Sequence, residues 1–261
     1  MSAWVLAVYN LKGGVGKTAT TVNLSYAASR ENRRVLVWDL DPQGAASFYF
    51  RVKPGIKGGA KRLIGKRHEV ADFIKETNYP GLDLMPADFS YRNLDLYLSR
   101  KKHSTERLAR LLQPVRDQYD VIMLDCSPSI SLISENIFKS ADTLVEPLIP
   151  TFLSIRAYEQ IKRYCSRHPD IEVLHCPFFS MADRRKRLHC DIVNEFSRGH
   201  PEMLTTVIGY SSLVEQMGAR RAPLQSFAPA SPAALSFDAL WQEICKKQGE
   251  KAIFCQNSNW N

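Results

Sequence analysis

The sequence lacks any apolar stretch that approaches the roughly eighteen residues needed for a membrane-spanning helix. Its opening segment, MSAWVLAVYN, also lacks the basic start, long apolar stretch and small-residue cleavage site of a secretory signal peptide. We therefore expect no membrane span and a cytoplasmic protein.

The sequence lacks a CxxC pair, and its six cysteines are scattered. In a cytosolic chain, isolated cysteines of this kind are typical of small buried hydrophobic residues. This pattern disfavours a disulfide framework.

Acidic residues are too few to balance the basic ones. With 35 Lys and Arg against 27 Asp and Glu, the formal net charge is +8. An excess of this sign favours a polyanionic partner such as nucleic acid or an anionic membrane. It says nothing about the fold.

The apolar segments do not alternate with polar residues, as the strands of a half-solvated sheet would. Short runs rich in Val, Ile and Leu recur instead, which indicates strands buried on both faces. We predict an α/β fold with a doubly wound, mostly parallel sheet of about seven or eight strands and helices on both faces. The predicted strands are WVLAV (4–8), VLVW (35–38), LDLMP (82–86), VIML (121–124), TLVEPLI (143–149), VLHCPFF (173–179) and TTVIG (205–209).

Helices are predicted over 18–30, 154–167 and 183–197, the last with Asp183 as its N-cap residue. Near the end of the sequence, Ser231 and Pro232 are typical of an N-cap followed by the first helical position. One apolar stripe follows them, formed by Phe237, Leu240, Trp241 and Ile244. No repeat or low-complexity linker divides the chain, so we predict one domain over 1–247 and a loosely ordered tail over 248–261.

The segment NLKGGVGKTAT (10–20) lies between the first predicted strand and the first predicted helix, which is the setting of a phosphate-binding loop. Glycines there allow unusual dihedrals and let backbone N–H groups approach phosphates. Lys17 would reach the β- and γ-phosphates of ATP, and the Thr18 hydroxyl would bind Mg²⁺. The common pattern GxxxxGK[ST] fails at its first position, where Leu11 stands. The predicted ATP-binding residues are Lys12, Gly13, Gly14, Val15, Gly16, Lys17, Thr18 and Ala19.

This departure is informative, because KGGVGKT resembles the deviant Walker A motif of the ParA/MinD-type P-loop ATPases, in which a second, earlier lysine is a defining feature. Two further segments are similar to that family: VWDLDPQGAAS (37–47) and YDVIMLDCSPS (119–129), which resembles its Walker B strand. Asp39, Asp41 and Asp125 each follow a predicted buried strand and should emerge at the carboxyl edge of the sheet, where ligands bind in open α/β folds.

The resemblance implies a role for each of these residues. Asp41 would position or activate the attacking water, while Asp39 and Asp125, with Thr18, would support Mg²⁺. Lys12 would reach across a dimer interface to the partner's ATP, like an arginine finger supplied in trans. The implied activity is a slow ATPase whose ATP state is a homodimer, with Lys12, Lys17 and Asp41 as catalytic residues.

Three basic segments compete as the docking surface of such an ATPase. The first holds Arg184, Arg185, Lys186 and Arg187 at a predicted helix start, where cations oppose the helix dipole and favour a bound anion. The resemblance places a DNA-contacting arginine at Arg185. The second segment holds Arg220 and Arg221, although Leu213 occupies the family's own second position. The third, residues 51–67, is a glycine-rich loop without acidic residues, which we expect to be mobile and either solvated or phosphate-binding.

The resemblance is closest to the ParA-like partition and positioning ATPases. It implies that the ATP dimer binds double-stranded DNA nonspecifically and positions a plasmid, a chromosome region or a protein complex. A ParB-like or other cargo adaptor would stimulate hydrolysis and release the ATPase, which would be nucleoid-associated. Two alternatives stay open: a MinD-type membrane-associated ATPase, which expects a basic amphipathic C-terminal helix, and a metabolic enzyme with the same loop, such as an amidating synthase.

Overall fold

The structure is a computed structural model that describes residues 2–65 and 70–258, with side chains described as far as Lys251. Its strands are β1 (Trp4–Val8), β2 (Val35–Asp39), β3 (Lys75–Glu76), β4 (Leu82–Met85), β5 (Val121–Asp125), β6 (Thr143–Leu148) and β7 (Leu174–Phe179). They form one sheet in the order β3-β4-β2-β5-β1-β6-β7, in which every neighbouring pair is parallel except β3 with β4. The predicted fold class is confirmed.

The α-helices within the described residues are α1 (Lys17–Arg30), α2 (Ala45–Tyr49), α3 (Gly59–Ile64), α4 (Leu94–Ser99), α5 (Arg107–Leu112), α6 (Leu132–Ser140), α7 (Phe152–Ser166), α8 (Arg187–Gly199), α9 (Ser212–Arg220), α10 (Leu224–Phe227) and α11 (Pro232–Ser258). Short 3₁₀ helices cover Val70–Phe73, Phe89–Asn93 and Gln113–Val115.

Helices cover both faces of the sheet, which explains why the strands read as continuous apolar runs. Successive strand side chains point to opposite faces. On β1, Val5 and Ala7 join the core beneath α3 to α7, whereas Leu6 and Val8 join the core beneath α1 and α11. Every residue of β1 after Trp4 is therefore buried, although its side chains alternate in direction.

One predicted strand is wrong, since residues 205–209 pair only through an isolated bridge between Ala182 and Gly209. The backbone N–H groups of Thr205 and Thr206 donate to the carboxylate of Glu243 on α11, at 2.6 and 2.9 Å. A side chain thus replaces the neighbouring strand as their partner. The seventh strand is instead β3, two exposed charged residues with no apolar pattern to reveal them.

The predicted N-cap of α8 is also wrong. The helix begins at Arg187 with Lys186 at the N-cap position, and the carboxylate of Asp183 accepts from the backbone N–H and the guanidinium of Arg185 in the turn before it. An Asp side chain can bond to a backbone N–H two residues later and close such a turn. Asp183 therefore closes that turn and does not cap the helix.

The last helix begins where the sequence predicts, with Pro232 as its first residue. The Ser231 hydroxyl accepts from the backbone N–H of Ala234 at 3.2 Å. The apolar stripe is buried, and Trp241 packs on Trp4 with ring centroids 5.7 Å apart. The helix continues to Ser258 and so includes most of the segment predicted as a tail.

The basic segment 51–67 is not a loop throughout, because residues 59–64 form α3. Residues 51–58 form the turn that leads into α3, while Lys66 and Arg67 lie outside the described residues. The backbone N–H of Gly55 donates to the Ala87 carbonyl, and that of Ile56 donates to the Asp88 carboxylate. Tertiary hydrogen bonds, which the local sequence does not reveal, hold the turn in place.

Within the described ranges, no helix combines the length and the apolar character needed to cross a bilayer.

Candidate nucleotide and magnesium site

The glycine loop between β1 and α1 is held in shape by hydrogen bonds from Asn10 at its start. The side-chain amide of Asn10 donates to the Pro147 carbonyl at 2.9 Å and accepts from the Lys12 N–H at 2.8 Å. Gly14 and Gly16 have φ values of 72° and 93°, in the left-handed region that favours glycine. A Cβ at Gly16 would lie 2.9 Å from the Ser180 hydroxyl. The loop is therefore in place before any ligand arrives.

Lys17 is buried at the centre of this loop, with only 7% of its surface exposed. Its ammonium donates to the Lys12 carbonyl at 3.2 Å. Burial lowers the pKa of Lys17, although the nearby carboxylates of Asp125 and Asp41 oppose that shift. A cation so poorly hydrated gains strongly from an anion brought into contact with it, which is what the phosphates of a nucleotide would supply.

Two fully buried carboxylates lie side by side beneath the loop. Asp39 ends β2 and Asp125 ends β5, and the two residues are partners in the parallel ladder. Asp39 accepts from the backbone N–H and the hydroxyl of Ser47 at 2.8 and 2.7 Å, and Asp125 accepts from the Thr21 hydroxyl at 3.1 Å. Burial, and then the negative charge of neighbouring carboxylates, raise the pKa values of both groups.

One oxygen of each carboxylate makes no well-formed hydrogen bond among the described residues: Oδ1 of Asp39 and Oδ2 of Asp125. The Asp41 N–H and the Thr18 hydroxyl interact with these carboxylates and lower the pKa values of Asp39 and Asp125, respectively, in opposition to burial. Buried polar atoms are nearly always satisfied, so two such oxygens call for a missing partner. Carboxylate oxygens suit Mg²⁺, which keeps several of its waters and binds through one or two carboxylates together with substrate phosphates. The donor set fits that ion.

Asp41 lies just beyond the end of β2 and is partly exposed. Its carboxylate accepts from the Gln43 N–H at 2.9 Å, and its carbonyl accepts from the Gly44 N–H. Together with Lys17 and Thr18 it lines a cleft of about 440 Å³. A carboxylate at this position can orient a water molecule next to a bound phosphate.

The far wall of this cleft was not predicted from the sequence. It is built from Ser180 and Met181 after β7, from residues 208–211, and from Glu215 on α9. Ser180 and Met181 follow a buried strand at the carboxyl edge, which is the same signal that marks the three aspartates. Residues 208–211 carry no such signal, and two of them, Ile208 and Gly209, fall in the segment 205–209 that the sequence predicts as a strand.

Lys12 does not line the same cleft as Lys17. It lies on an adjoining cavity of about 520 Å³, together with Thr151, Asp183, Lys186 and His189. No described residue accepts a hydrogen bond from its ammonium group in the single chain. The two lysines of the loop therefore face different surroundings, and Lys12 is free to contact a group outside its own subunit.

The predicted DNA-binding residues form two exposed clusters at opposite ends of α9. Arg185 is held by Asp183 in a bidentate ion pair, with both distances at 2.9 Å, and lies beside Tyr210 just before α9. Arg220 ends that helix, which at nine residues is about 13 Å long. Leu213 is partly buried against the core and carries no charge for a phosphate contact at that position.

A glycine loop before the first helix, a buried lysine, and two aspartates at the carboxyl edge of a parallel sheet together define a P-loop nucleotide-binding protein. Comparison with known proteins narrows this class. A family model described as an AAA domain matches residues 3–170. The chain belongs to that family and, by its relatives, to the ParA/MinD-type P-loop ATPases, so the resemblance stated from the sequence is confirmed.

Two named relatives support this assignment. The chromosome partitioning protein ParA of Caulobacter vibrioides is 33% identical over 197 residues, which cover 70% of this chain and 72% of that protein. The sporulation initiation inhibitor protein Soj of Bacillus subtilis is 27% identical over 246 residues, covering 92% of this chain and 97% of Soj.

Solved structures agree on the fold. An ATP complex of McdA from Cyanothece has a TM-score of 0.81 at 19% identity, covering 93% of this chain and 96% of McdA. The cell division ATPase MinD of Pyrococcus furiosus has a TM-score of 0.76 at 21% identity, covering 94% and 99%. A cobyrinic acid a,c-diamide synthase of Mycobacterium smegmatis, with bound ADP and magnesium, has a TM-score of 0.71 at 27% identity, covering 87% of this chain and 93% of the synthase.

The buried carboxylate pair predicts an unusual pH dependence of stability. Because the folded-state pKa values of Asp39 and Asp125 are raised above the ordinary value near 4, the free energy of unfolding should fall as pH rises through them. Asp125→Asn removes one buried charge. Without magnesium, the thermal midpoint of this variant should therefore fall less than that of the wild type between about pH 5 and about pH 8. Each unit of pKa shift corresponds to about 1.4 kcal/mol in the free energy of unfolding.

The same titration is measured with and without Mg²⁺ and ATP. The ligands should recover the wild-type midpoint at the higher pH and recover that of Asp125→Asn much less. The exposed Asp117 supplies a control variant, Asp117→Asn, which should follow the wild type. Parallel pH profiles for all three proteins would show that the pair is not strained by its own charge.

Proposed function

We propose that this chain is an ATPase that dimerises around bound ATP, binds nonspecific DNA in that state and positions or segregates a cargo. The observation that carries the proposal is a cleft lined by the glycine loop, the buried Lys17, Thr18 and Asp41, with the paired carboxylates of Asp39 and Asp125 buried at the adjacent strand ends. These groups are complementary to a nucleotide triphosphate with its magnesium ion.

The residues divide the work of phosphoryl transfer between them. Loop N–H groups and Lys17 bind the β- and γ-phosphates, and the Thr18 hydroxyl with Asp39 and Asp125 would hold Mg²⁺, largely through water. Bound there, Mg²⁺ would supply positive charge against the phosphate oxygens. Asp41 orients the attacking water. Hydrolysis needs little covalent chemistry from the protein, so its rate depends on this positioning and on added positive charge.

The added charge comes from Lys12 of a second copy of this chain. Its position outside the ATP cleft suits a contact in trans, and the surface around the loop suits a dimer. Three large apolar side chains at this edge are strongly exposed: Ile130 at 69%, Phe152 at 71% and Leu153 at 68%. They follow β5 and β6, which flank β1 and the loop. Exposed apolar residues grouped in this way are typical of protein interfaces.

ATP held between two subunits makes the dimer a switch, since hydrolysis removes the contact that joins them. In the ATP state, the exposed arginines and lysine over 184–187, with Arg220 and Arg221, bind the phosphate backbone of DNA without reading bases. A ParB-like or other adaptor stimulates hydrolysis and releases the ATPase from the nucleoid. The names of the Caulobacter and Bacillus relatives support a role in partition.

The MinD-type alternative is supported by the likeness of this fold to that of MinD from Pyrococcus furiosus. The synthase alternative is supported by the Mycobacterium smegmatis synthase, which is 27% identical in sequence. A MinD-type protein needs a membrane-binding surface, and a synthase needs a pocket for a second substrate. Measurements of DNA and vesicle binding separate both from the main proposal.

Lys12→Ala should lower ATP hydrolysis about a thousandfold or more, because it removes the charge supplied in trans. It should also abolish dimerisation with a nonhydrolysable ATP analogue. Hydrolysis is measured as phosphate release, and dimerisation by sedimentation velocity. Lys246→Ala, which removes an exposed lysine on α11, is the control and should do neither. A Lys12→Ala dimer of normal affinity would rule out the trans role.

Asp41→Ala should preserve dimerisation and trap ATP, since the variant keeps every group assigned to binding and loses the one that orients water. Labelled nucleotide recovered from the isolated dimer should remain ATP, whereas the wild type yields ADP. Turnover at the wild-type rate would remove Asp41 from the mechanism.

DNA retention is tested with a mobility shift on random-sequence duplex in ATP, in ADP and without nucleotide, and with flotation on anionic vesicles of phosphatidylglycerol and phosphatidylcholine. We expect ATP-dependent binding to DNA, with a dissociation constant of about 10⁻⁴ to 10⁻⁶ M at physiological salt. Vesicle binding without DNA binding would favour the MinD-type alternative. Binding to neither would favour a metabolic enzyme.

A further inference from the structure

Exposed lysines alternate with buried anchors along the segment that follows α2. Val52, Ile56 and Ala60 are buried at 7, 8 and 0% exposure, and each is followed directly by an exposed lysine. A fourth lysine joins them from β3. We call Lys53, Lys57, Lys61 and Lys75 the lysine ridge.

The lysine ridge is ordered by its backbone, so its charges are arranged before any ligand binds. Gly55 and Gly58 have φ values of 108° and 85° and allow the turns that present the lysines. The carboxylate of Asp88 accepts from the Ile56 N–H at 2.9 Å, and the Ser90 hydroxyl accepts from the Ala60 N–H at 2.7 Å. Docking on an ordered surface costs less conformational entropy than docking on a free loop.

The charges of the lysine ridge are not neutralised within the protein. Among the described residues, none of its four lysines lies within ion-pair distance of a carboxylate. The ammonium of Lys75 donates to the Lys53 carbonyl at 3.1 Å, which brings β3 against the turn. The carboxylate of Asp88, beneath the turn, already accepts from Ile56 and Ser90. Such a surface is complementary to a partner that is negative along its length.

Arg51 connects the lysine ridge to the arginines at the end of α9. Its guanidinium donates to the Arg220 carbonyl at 2.8 Å and to the Arg221 carbonyl at 3.1 Å. Arg221 in turn donates to the Phe48 carbonyl on α2 at 3.1 Å. The two basic segments that are separate in the sequence are therefore one continuous basic surface.

This surface is also joined to the nucleotide site by contiguous hydrogen bonds. The Ser47 hydroxyl donates to Asp39 at 2.7 Å and accepts from the Ala87 N–H at 3.0 Å. The Ala87 carbonyl then accepts from the Gly55 N–H at 2.6 Å, within the ridge turn. A change at Asp39 on binding nucleotide would thus act on groups that hold the lysine ridge.

We propose that the lysine ridge binds the phosphate backbone of double-stranded DNA and, with Arg220 and Arg221, supplies the contact that Leu213 lacks. This inference rests on the proposed DNA binding and says where on the chain it occurs. Duplex DNA presents closely spaced negative charges that suit a group of exposed lysines without carboxylate partners. The interleaved Val52, Ile56 and Ala60 are buried, so the ridge itself offers no apolar side chain for insertion into a membrane, although Phe48 beside Arg221 is 46% exposed. Vesicles are therefore tested in parallel with DNA.

The test compares DNA binding by wild-type protein, by the ridge variant Lys53→Gln/Lys57→Gln/Lys61→Gln, and by a control in which the net charge falls by the same amount. The control is Arg163→Gln/Arg167→Gln/Lys246→Gln, which removes three exposed cations from the region of α7 and α11. Binding to a fluorescent random-sequence duplex is followed by anisotropy with a nonhydrolysable ATP analogue over a range of salt. Basal ATP hydrolysis should be unchanged in both variants, which shows that they fold.

The ridge variant should bind about tenfold or more weakly at about 0.1 M salt. Its slope of log affinity against log salt should be shallower by about 0.9 for each phosphate that is no longer neutralised, and the control should match the wild type. Lys57→Glu alone should weaken binding in the same direction. If the wild type binds and the ridge variant binds equally well, the ridge assignment is wrong while the proposed function stands.

If the wild type itself fails to bind DNA in any nucleotide state, the proposed function fails first. Anionic vesicles, tested in parallel, give the remaining outcome. Vesicle binding that disappears in the ridge variant, with DNA binding unchanged, would overturn the assignment in favour of a lipid surface.

Discussion

The structure depends on charge that is buried at the carboxyl edge of the sheet. Asp39 and Asp125 lie without solvent at the ends of adjacent strands, and Lys17 is buried in the loop above them. Taking such groups out of water costs several kcal/mol per ion unless partners replace the missing hydration. The single chain supplies those partners only in part. The site therefore suits two ligands of opposite charge, a phosphate beside Lys17 and a cation beside the carboxylates.

The nucleotide site is connected to the lysine ridge and to the end of α9. Asp39 is held by Ser47 at the start of α2, and α2 leads through Arg51 to the lysine ridge and to the end of α9. The start of α9 lines the nucleotide cleft. The nucleotide cleft and the basic surface thus share α2 and α9. A protein that changes partners with its nucleotide needs such a compact arrangement.

Local sequence signals were sufficient to predict most of the sheet and the glycine loop. Six of the seven strands were predicted because buried parallel strands read as continuous Val, Ile and Leu, and the glycine loop was recognised because phosphate binding restricts residue types at fixed spacing. The wrongly predicted strand has a long-range cause. Residues 205–209 look like a strand, but the N–H groups of Thr205 and Thr206 bond to Glu243, which lies 38 and 37 residues away along the chain. No window of sequence contains that competition.

The sequence by itself determined the class of site, because the identities of Lys12, Lys17, Thr18 and the three aspartates prescribe phosphate and magnesium chemistry wherever they converge. Only the tertiary structure decided which groups share the same surroundings. It separated Lys12 from Lys17, built the far wall of the cleft from segments after β7, and joined Arg51 to Arg220. Contacts between residues far apart in sequence depend on packing geometry, which composition and spacing leave open.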